Sequence, residues 1–334
     1  MNILMISRLY YPHVGGVEMH LSHINRILQK KGFNITVVTE KFDGNLATEE
    51  FFDNVRILRF SYPNIKVLGL VFIWIWFFKN LNVIKNSDLV HIHDVFIWFL
   101  PFRLLFYRKP VFTTFHGWEG KYPVPLNNKL QKRIASWLSN GTIAVGEYIQ
   151  KYYGIKTDLV TFGATEVPKK LTKKQKNYIV FIGRLDADTG LPLFLKILPE
   201  LKKYRIDFCG DGPLKFKCQE FGKVHGFINT TPLLLRAKYC FCGGYLSILE
   251  ALAHKCLVIV GYENHLKRDC FKLTPFSKFI VVENSAKKIR ESINYYSKNY
   301  IAANKLIKDG FEWVTTQTWE RVTQQYLNLW KLKI

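Results

Sequence analysis

The feature that most limits the fold of this chain is an alternation of short apolar strands with helical patterns, interrupted once. In the first half the sequence predicts strands over Ile3–Ser7, Ile35–Thr39, Ser87–His93, Val111–Phe115, Gly141–Val145 and Leu159–Thr161. A helix is predicted over Glu18–Lys31, with Met19, Leu21, Ile24, Ile27 and Leu28 on its apolar side and Gly32 as its stop, and a shorter one from Glu147. Residues 166–177, EVPKKLTKKQKN, break the pattern: they are polar, rich in lysine and hold a proline, and read as a linker. The alternation then restarts with strands over Tyr178–Ile182, Arg205–Cys209, Tyr239–Cys242 and Leu257–Val260. Helices are predicted near Leu191–Leu201 and Thr231–Ala237, from Ser247, and over Trp319–Leu332. Such alternation calls for parallel sheets wound on both faces. The expected fold is α/β, with two doubly wound Rossmann-like domains facing a cleft. Residues 1–165 form the first, 166–177 link, 178–314 form the second, and 315–334 add a final helix.

Composition narrows the partners. The 334 residues carry a net charge of +22, which attracts nucleic acid, anionic lipid head groups or phosphorylated small molecules. That charge is spread out, with no arginine-rich tract or nucleic-acid module, so no nucleic-acid partner is expected. The six cysteines, at 209, 218, 240, 242, 256 and 270, form no C-x-x-C pair and read as buried thiols in a reducing cytosol. Arg8 and Pro12 interrupt the N-terminus too early for a signal peptide, and the expected location is cytoplasmic. Val67–Phe78, VLGLVFIWIWFF, is the most apolar run, yet it falls short of the roughly 20 residues a bilayer-crossing helix needs. Two readings stay open: a helix buried on a sheet, or peripheral contact with an anionic membrane through aromatics such as Trp74 and Trp76, at the membrane's inner face.

In doubly wound sheets, ligands sit beyond the carboxyl ends of the strands. The candidate residues fall there: Gly15-Gly16, His116-Gly117, Gly183-Arg184 and Gly210–Pro213 each follow a predicted strand. Most telling is Cys240–Val260, a strand, a Gly243-Gly244 turn, an abrupt helix and a second strand. The amides of Tyr245 and Leu246 at that helix start suit a diphosphate, and Glu250, one turn in, suits sugar hydroxyls. The plainer alternative is that Ser247 and Glu250 form an S-x-x-E capping box. His91 and His93 are taken to point to opposite faces of their strand, which argues against a shared metal, and no metal site is expected. Asp211 reads as a turn residue.

These segments together resemble a family 4 retaining glycosyltransferase of the GT-B fold. The resemblance runs in order through SRLYYPHVGGVE, LVHIHD, TFHG, AVGEYIQKYYG, FIGRLDADTG, FCGDGPLK, VHGFI and GYLSILEALA. It implies transfer of a sugar from a UDP- or GDP-sugar to a glycan or lipid-linked glycan, with retention, no cofactor and no metal. The last helix would cross back onto the first domain. Gly15 and Gly16 would let the backbone approach the donor, Gly183 and Arg184 would face the diphosphate, and Tyr245, Leu246 and Ser247 would bind it with their amides. Glu250 would hold the ribose hydroxyls and His116 would sit near the transferred sugar. As no nucleophile and base pair stands out, the resemblance implies front-side attack, with His116, Arg184 and Glu250 as the catalytic set. Two positions depart from the family pattern: Thr189 replaces a diphosphate-contacting lysine, and Cys242 replaces the first of two glutamates. Thr189 is expected to bond a phosphate oxygen through its hydroxyl. These departures leave one alternative, a catalytically degenerate GT-B protein that binds a nucleotide or a partner.

Overall fold

A computed structural model describes residues 1–333, which divide into two compact units. The first comprises residues 1–161 and the C-terminal segment from Trp319; the second comprises Phe162–Thr318.

The first unit is built on a sheet of eight strands: β1 (Asn2–Ser7), β2 (Asn34–Glu40), β3 (Glu49–Phe52), β4 (Val55–Phe60), β5 (Leu89–His93), β6 (Val111–Phe115), β7 (Gly141–Val145) and β8 (Leu159–Thr161). Their order is β3-β4-β2-β1-β5-β6-β7-β8, parallel except for β3. The chain winds outward from β1 in both directions, so the order reverses between β1 and β5, where such sheets take ligands. The hairpin of β3 and β4 is absent from the expected strands; its turn puts Asp53 and Asn54 at positive φ, as a two-residue hairpin turn requires. The C-terminal helix, Trp319–Lys333, belongs to this unit. Its Tyr326 and Trp330 are buried and bond groups on the first helix, Gly16–Lys30, and on the central strands.

The apolar run is the helix Lys66–Lys79. It buries Ile73 and Phe77 against the sheet and against Phe99 and Phe102 of the helix Phe96–Leu105. Trp74 and Trp76 turn out to face the protein: the Trp74 indole donates to the Ile97 carbonyl at 3.1 Å, and Trp76 packs on Phe60 at 5.1 Å. The exposed stripe is instead Val67, Leu68, Val71, Phe72, Ile75 and Phe78, spaced as one face of a helix. The run is therefore a helix buried on the sheet along one face and exposed along the other. Among the described residues no helix is long and apolar enough to cross a membrane.

The second unit has six parallel strands: β9 (Gln175–Ile182), β10 (Arg205–Cys209), β11 (Lys223–Val224), β12 (Ala237–Cys242), β13 (Leu257–Gly261) and β14 (Val281–Glu283). Their order is β11-β10-β9-β12-β13-β14, so the reversal lies between β9 and β12. β9 starts at Gln175, inside the expected linker, and Lys174 of that segment is tied to the Leu234 carbonyl. The helix expected over Leu191–Leu201 is broken into Leu191–Leu195 and a 3₁₀ turn at Leu198–Glu200, with Pro199 inside the turn. The helix near Thr231 is a single turn, Thr231–Leu234, and Ala237 opens β12. All six cysteines are free thiols, and all but Cys270 are buried.

Candidate active-site residues in the two units

In the second unit, the loops after β9, β10 and β12 meet through glycines. Gly243 N–H donates to the Ile182 carbonyl at 2.9 Å, and Gly183 N–H to the Cys209 carbonyl at 3.1 Å. A Cβ on Gly210 would lie 1.9 Å from the Gly183 carbonyl oxygen, and its φ of +143° is closed to side chains. Glycine at these positions is thus a packing requirement of the loop cluster, independent of any ligand.

The helix after β12 runs Tyr245–Ala253, two residues earlier than expected. Gly244 is therefore the N-cap and Ser247 the third helical residue, so the S-x-x-E capping box does not form. Ser247 Oγ instead donates to the Gly244 carbonyl at 2.8 Å and accepts from Gly244 N–H at 3.3 Å. The first intrahelical bond of this end is Ile248 N–H to the Gly244 carbonyl. A helix N-terminus of this kind is where an anion is favoured. With the cap assigned elsewhere, Glu250 is left as a mostly buried carboxylate inside the helix. The Thr230 hydroxyl donates to it. Burial raises its pKa and the Thr230 bond only partly offsets this. A carboxylate with one neutral donor retains acceptor capacity for ligand hydroxyls.

Arg184 is 61 % exposed, and its guanidinium is engaged by its own loop. Its Nη2 donates to both Asp188 oxygens at 2.9 and 2.8 Å, and its Nη1 donates to Asp186 at 3.3 Å. Thr189, only 5 % exposed, donates its hydroxyl proton to the Asp186 carbonyl at 2.7 Å. The same hydroxyl lies 3.1 Å from the Arg184 carbonyl, so it is turned toward the backbone of its own loop. Cys242 is buried, with its sulfur 3.5 Å from that of Cys240 and 3.4 Å from the Ser247 carbonyl.

In the first unit, Gly15 caps the helix Gly16–Lys30 in an extended conformation, and a Cβ there would meet the Glu18 carboxylate at 2.4 Å. Gly16 has open space around a would-be Cβ, so packing alone does not demand glycine there. Glu18, which sequence reasoning passed over, takes a hydrogen bond from His13 at 3.1 Å beside this helix start.

His116 follows β6, and its backbone N–H donates to Asp94 at 3.1 and 3.2 Å. Asp94, just after β5, sits at a φ of +63° and also accepts from buried Lys132 at 3.2 Å. Lys132 is shared with Glu119, 3.3 Å away; burial pulls its pKa down, but the two carboxylates carry it up. The His116 ring nitrogen Nε2 lies 2.8 Å from Nδ1 of His93. His91 and His93 point to the same face of β5, not opposite ones: residues two apart on a strand share a face, and their rings stack at 4.9 Å. With His20 they form a layer of four imidazoles. Burial first, and neighbouring positive charge second, push all four pKa values down, that of His116 to about 3. Among the described residues no group of three or more His, Cys, Asp or Glu is arranged to hold a metal ion.

Residues 14–158 match Glycosyltransferase Family 4, and residues 164–313 match Glycosyl transferases group 1. The chain is 21% identical over 263 residues to the phosphatidylinositol N-acetylglucosaminyltransferase GPI3 subunit of Saccharomyces cerevisiae, an alignment covering 70% of this chain and 58% of that protein. The chain thus spans little more than half of that relative. Among solved structures it is similar to sucrose-phosphate synthase from Thermosynechococcus elongatus, with a TM-score of 0.80 and 16% identity over 99% of this chain and 98% of the other. It is also similar to Anabaena HepE in complex with UDP and glucose, with a TM-score of 0.74 and 13% identity over 98% and 99% of the two chains. At these identities the structural likeness shows the fold, GT-B.

Proposed function

The chain belongs to glycosyltransferase family 4, and on that footing we propose that it moves a sugar from a UDP- or GDP-sugar to a hydroxyl of a glycan or lipid-linked glycan. The transfer retains anomeric configuration and uses no metal. The observation that carries this reading is the glycine-packed junction of the loops after β9, β10 and β12, beside a helix N-terminus that has a half-satisfied carboxylate one turn in. That combination suits a diphosphate next to a pair of hydroxyls. The acceptor oxygen bonds to the anomeric carbon on the face from which the diphosphate leaves. The carbon–oxygen bond to phosphate breaks, and the acceptor proton passes to a departing phosphate oxygen. The protein's part is positioning and charge stabilisation, by Arg184 and the helix amides at the phosphates. Arg184 must exchange Asp188 for phosphate to do so.

Thermal shift against UDP, GDP, CMP and ADP-ribose tests the site, repeated with Glu250→Ala. A shift with one diphosphate that vanishes in the variant supports the reading, and no shift with any nucleotide overturns it. Arg184→Ala should cost about 2–4 kcal/mol of transition-state stabilisation, the loss seen when one charge-stabilising donor is removed; turnover within threefold of wild type removes Arg184 from the mechanism.

The acceptor side draws on the exposed stripe Val67, Leu68, Val71, Phe72, Ile75 and Phe78, and on the charge of +22. An amphipathic surface of this kind suits the interface of an anionic membrane, where a lipid-borne acceptor waits. The yeast relative's name, which joins phosphatidylinositol to sugar transfer, supports the same acceptor class. The proposed location is the cytoplasm, at the membrane's inner face. Flotation with anionic liposomes should carry wild type upward and leave Phe72→Ser/Phe78→Ser behind, whereas equal flotation of both rejects the surface.

A second reading, a degenerate GT-B protein that binds a nucleotide or partner, is favoured by three observations: Arg184 held by Asp186 and Asp188, Thr189 buried, and Cys242 in the core. Transfer or hydrolysis of any nucleotide sugar disposes of it.

A further inference from the structure

The histidine layer has a fixed proton order that can be read from its donors. Trp330 Nε1 can only donate, so Nδ1 of His91, 3.0 Å away, must be an acceptor. Neutral His91 then carries its proton on Nε2 and gives it to Thr114 Oγ1 at 2.8 Å. Thr114 is 3.0 Å from the Tyr326 hydroxyl, which is 3.0 Å from Nε2 of His20. Running the bonds in this one direction spends every donor, and it ends with the His20 proton on Nδ1.

His93 stands apart from that chain. Its ring is 1 % exposed, with Nδ1 bonded to Nε2 of His116 and Nε2 buried without a partner. A buried N–H without an acceptor is costlier and rarer than a bare lone pair. The proton of His93 therefore belongs on Nδ1, directed at His116.

We infer that His93 is a positioning residue: it donates Nδ1–H to Nε2 of His116 and so fixes His116 as the Nδ1–H tautomer. His116 is then a hydrogen-bond donor to a ligand oxygen and cannot serve as a base. This rests on the reading of His116 as the group beside the transferred sugar, but the tautomer itself is a property of the free protein. Asp94 accepts from the His116 backbone N–H, and Lys132, whose charge acts on His116, is held by Asp94 and Glu119, which keeps that charge in place while both imidazoles stay neutral. The chemical consequence is a preference for ligand atoms that accept a hydrogen bond.

Long-range proton–nitrogen spectra of the full chain, labelled with ¹⁵N-histidine at pH 7, test this, with the His116 signals assigned from His116→Gln. The expected result is a protonated Nδ1 and a bare Nε2 on His116. His93→Asn, whose amide can donate from the same place, should leave that tautomer intact. His93→Asp, which can only accept, should move the His116 proton to Nε2. With a turned-over nucleotide sugar, His93→Asp should lower kcat/KM roughly tenfold to a hundredfold, the range for one lost or reversed buried hydrogen bond. His93→Asn should stay within threefold. A wild-type His116 protonated on Nε2, or a tautomer indifferent to His93→Asp, overturns the inference, and so does an equal loss of activity in the two variants. A correct tautomer with no sugar transfer by wild type would instead count against the transferase reading alone.

Discussion

The two sheets solve the same topological problem with opposite interiors. The central strand of the first unit, β5, buries His91 and His93 beside Thr113 and Thr114 of β6. A central strand of the second unit, β9, buries Tyr178, Ile179, Val180 and Phe181, and the buried polar group beside it is Asp207 of β10, bonded by the Tyr178 hydroxyl. A buried polar layer costs several kcal/mol unless each group is bonded, so the first unit depends on partners brought from far along the chain. The C-terminal helix supplies two of them, Tyr326 and Trp330. An apolar interior needs only good packing, which leaves the second unit free to place glycine and charge at its rim. The difference teaches where each unit is fragile: the first in its middle, the second at its edge.

Acid should separate them most strongly. Four histidines of the first unit have folded pKa values below the unfolded value of 6.5, so the unfolded state binds more protons than the folded one below that pH. Stability is therefore whole above about pH 6.5 and is lost as the pH falls toward 3, at about 1.4 kcal/mol per pH unit for each histidine still neutral when folded. The second unit has His254 lowered in the same way, while its buried Asp207, held by Tyr178, His225 and Arg205, has a lowered pKa whose contribution is lost only below the carboxylate range. Hydrogen exchange at pH 7 and pH 5, corrected for intrinsic rates, should show the first unit opening far more than the second. Equal loosening of both would break the comparison.

Mutation should sharpen it. Trp330→Ala should cost about 3–5 kcal/mol from lost packing, and Trp330→Phe about 1–3 kcal/mol, because it keeps most of the ring yet removes the donor to His91. Denaturant melts that follow each unit by exchange protection would read this; an equal loss in the second unit would contradict the division. At the rim of the second unit, Gly210→Ala should cost about 1–3 kcal/mol through its closed φ, and more from the clash with the Gly183 carbonyl. Gly244→Ala, with open space and an extended φ, should cost only the N-cap preference, about 0.5–1 kcal/mol. Similar melting temperatures for the two alanine variants would show that the loop junction is softer than its geometry.

Legibility followed the same division. Strands at Val111–Phe115, Gly141–Val145, Leu159–Thr161 and Arg205–Cys209 lie where the sequence predicts them, because buried parallel strands read as plain apolar runs between turns. The β3–β4 hairpin went unseen: its turn is Asp53-Asn54 rather than an Asn-Gly or Asp-Gly pair, and β3 exposes Phe51. The helix at Tyr245 was placed two residues late because Ser247 looks like a cap, whereas Gly244 supplies the geometry and Ser247 the bonds. The imidazole layer was misjudged at the level of strand periodicity, since His91 and His93 needed only the two-residue repeat to be placed together. Another member, His20, is bonded to Tyr326 across 306 residues, and no local pattern joins those two. The hold of Asp188 on Arg184 was in plain view at a spacing of four, yet the family pattern drew attention to the arginine alone.

That hold gives the finest test of the rim. Two carboxylates beside one guanidinium leave the Arg184 loop with a local negative excess, the wrong sign for a diphosphate. The arginine of the pair is exposed and the aspartate partly so, which leaves breaking it worth about 1 kcal/mol at most, with water and salt screening the rest. Asp188→Asn should then tighten UDP or GDP binding up to about fivefold at low salt, with the gain shrinking as ionic strength rises. Thermal stability should barely change, because an exposed pair contributes little to it. Isothermal titration of wild type and variant at two salt concentrations reads both quantities. Unchanged affinity at low salt would mean that Arg184 already leaves Asp188 at no cost, or takes no part in binding the nucleotide. Arg184→Ala in the Asp188→Asn background separates these, since only in the first case does affinity then fall.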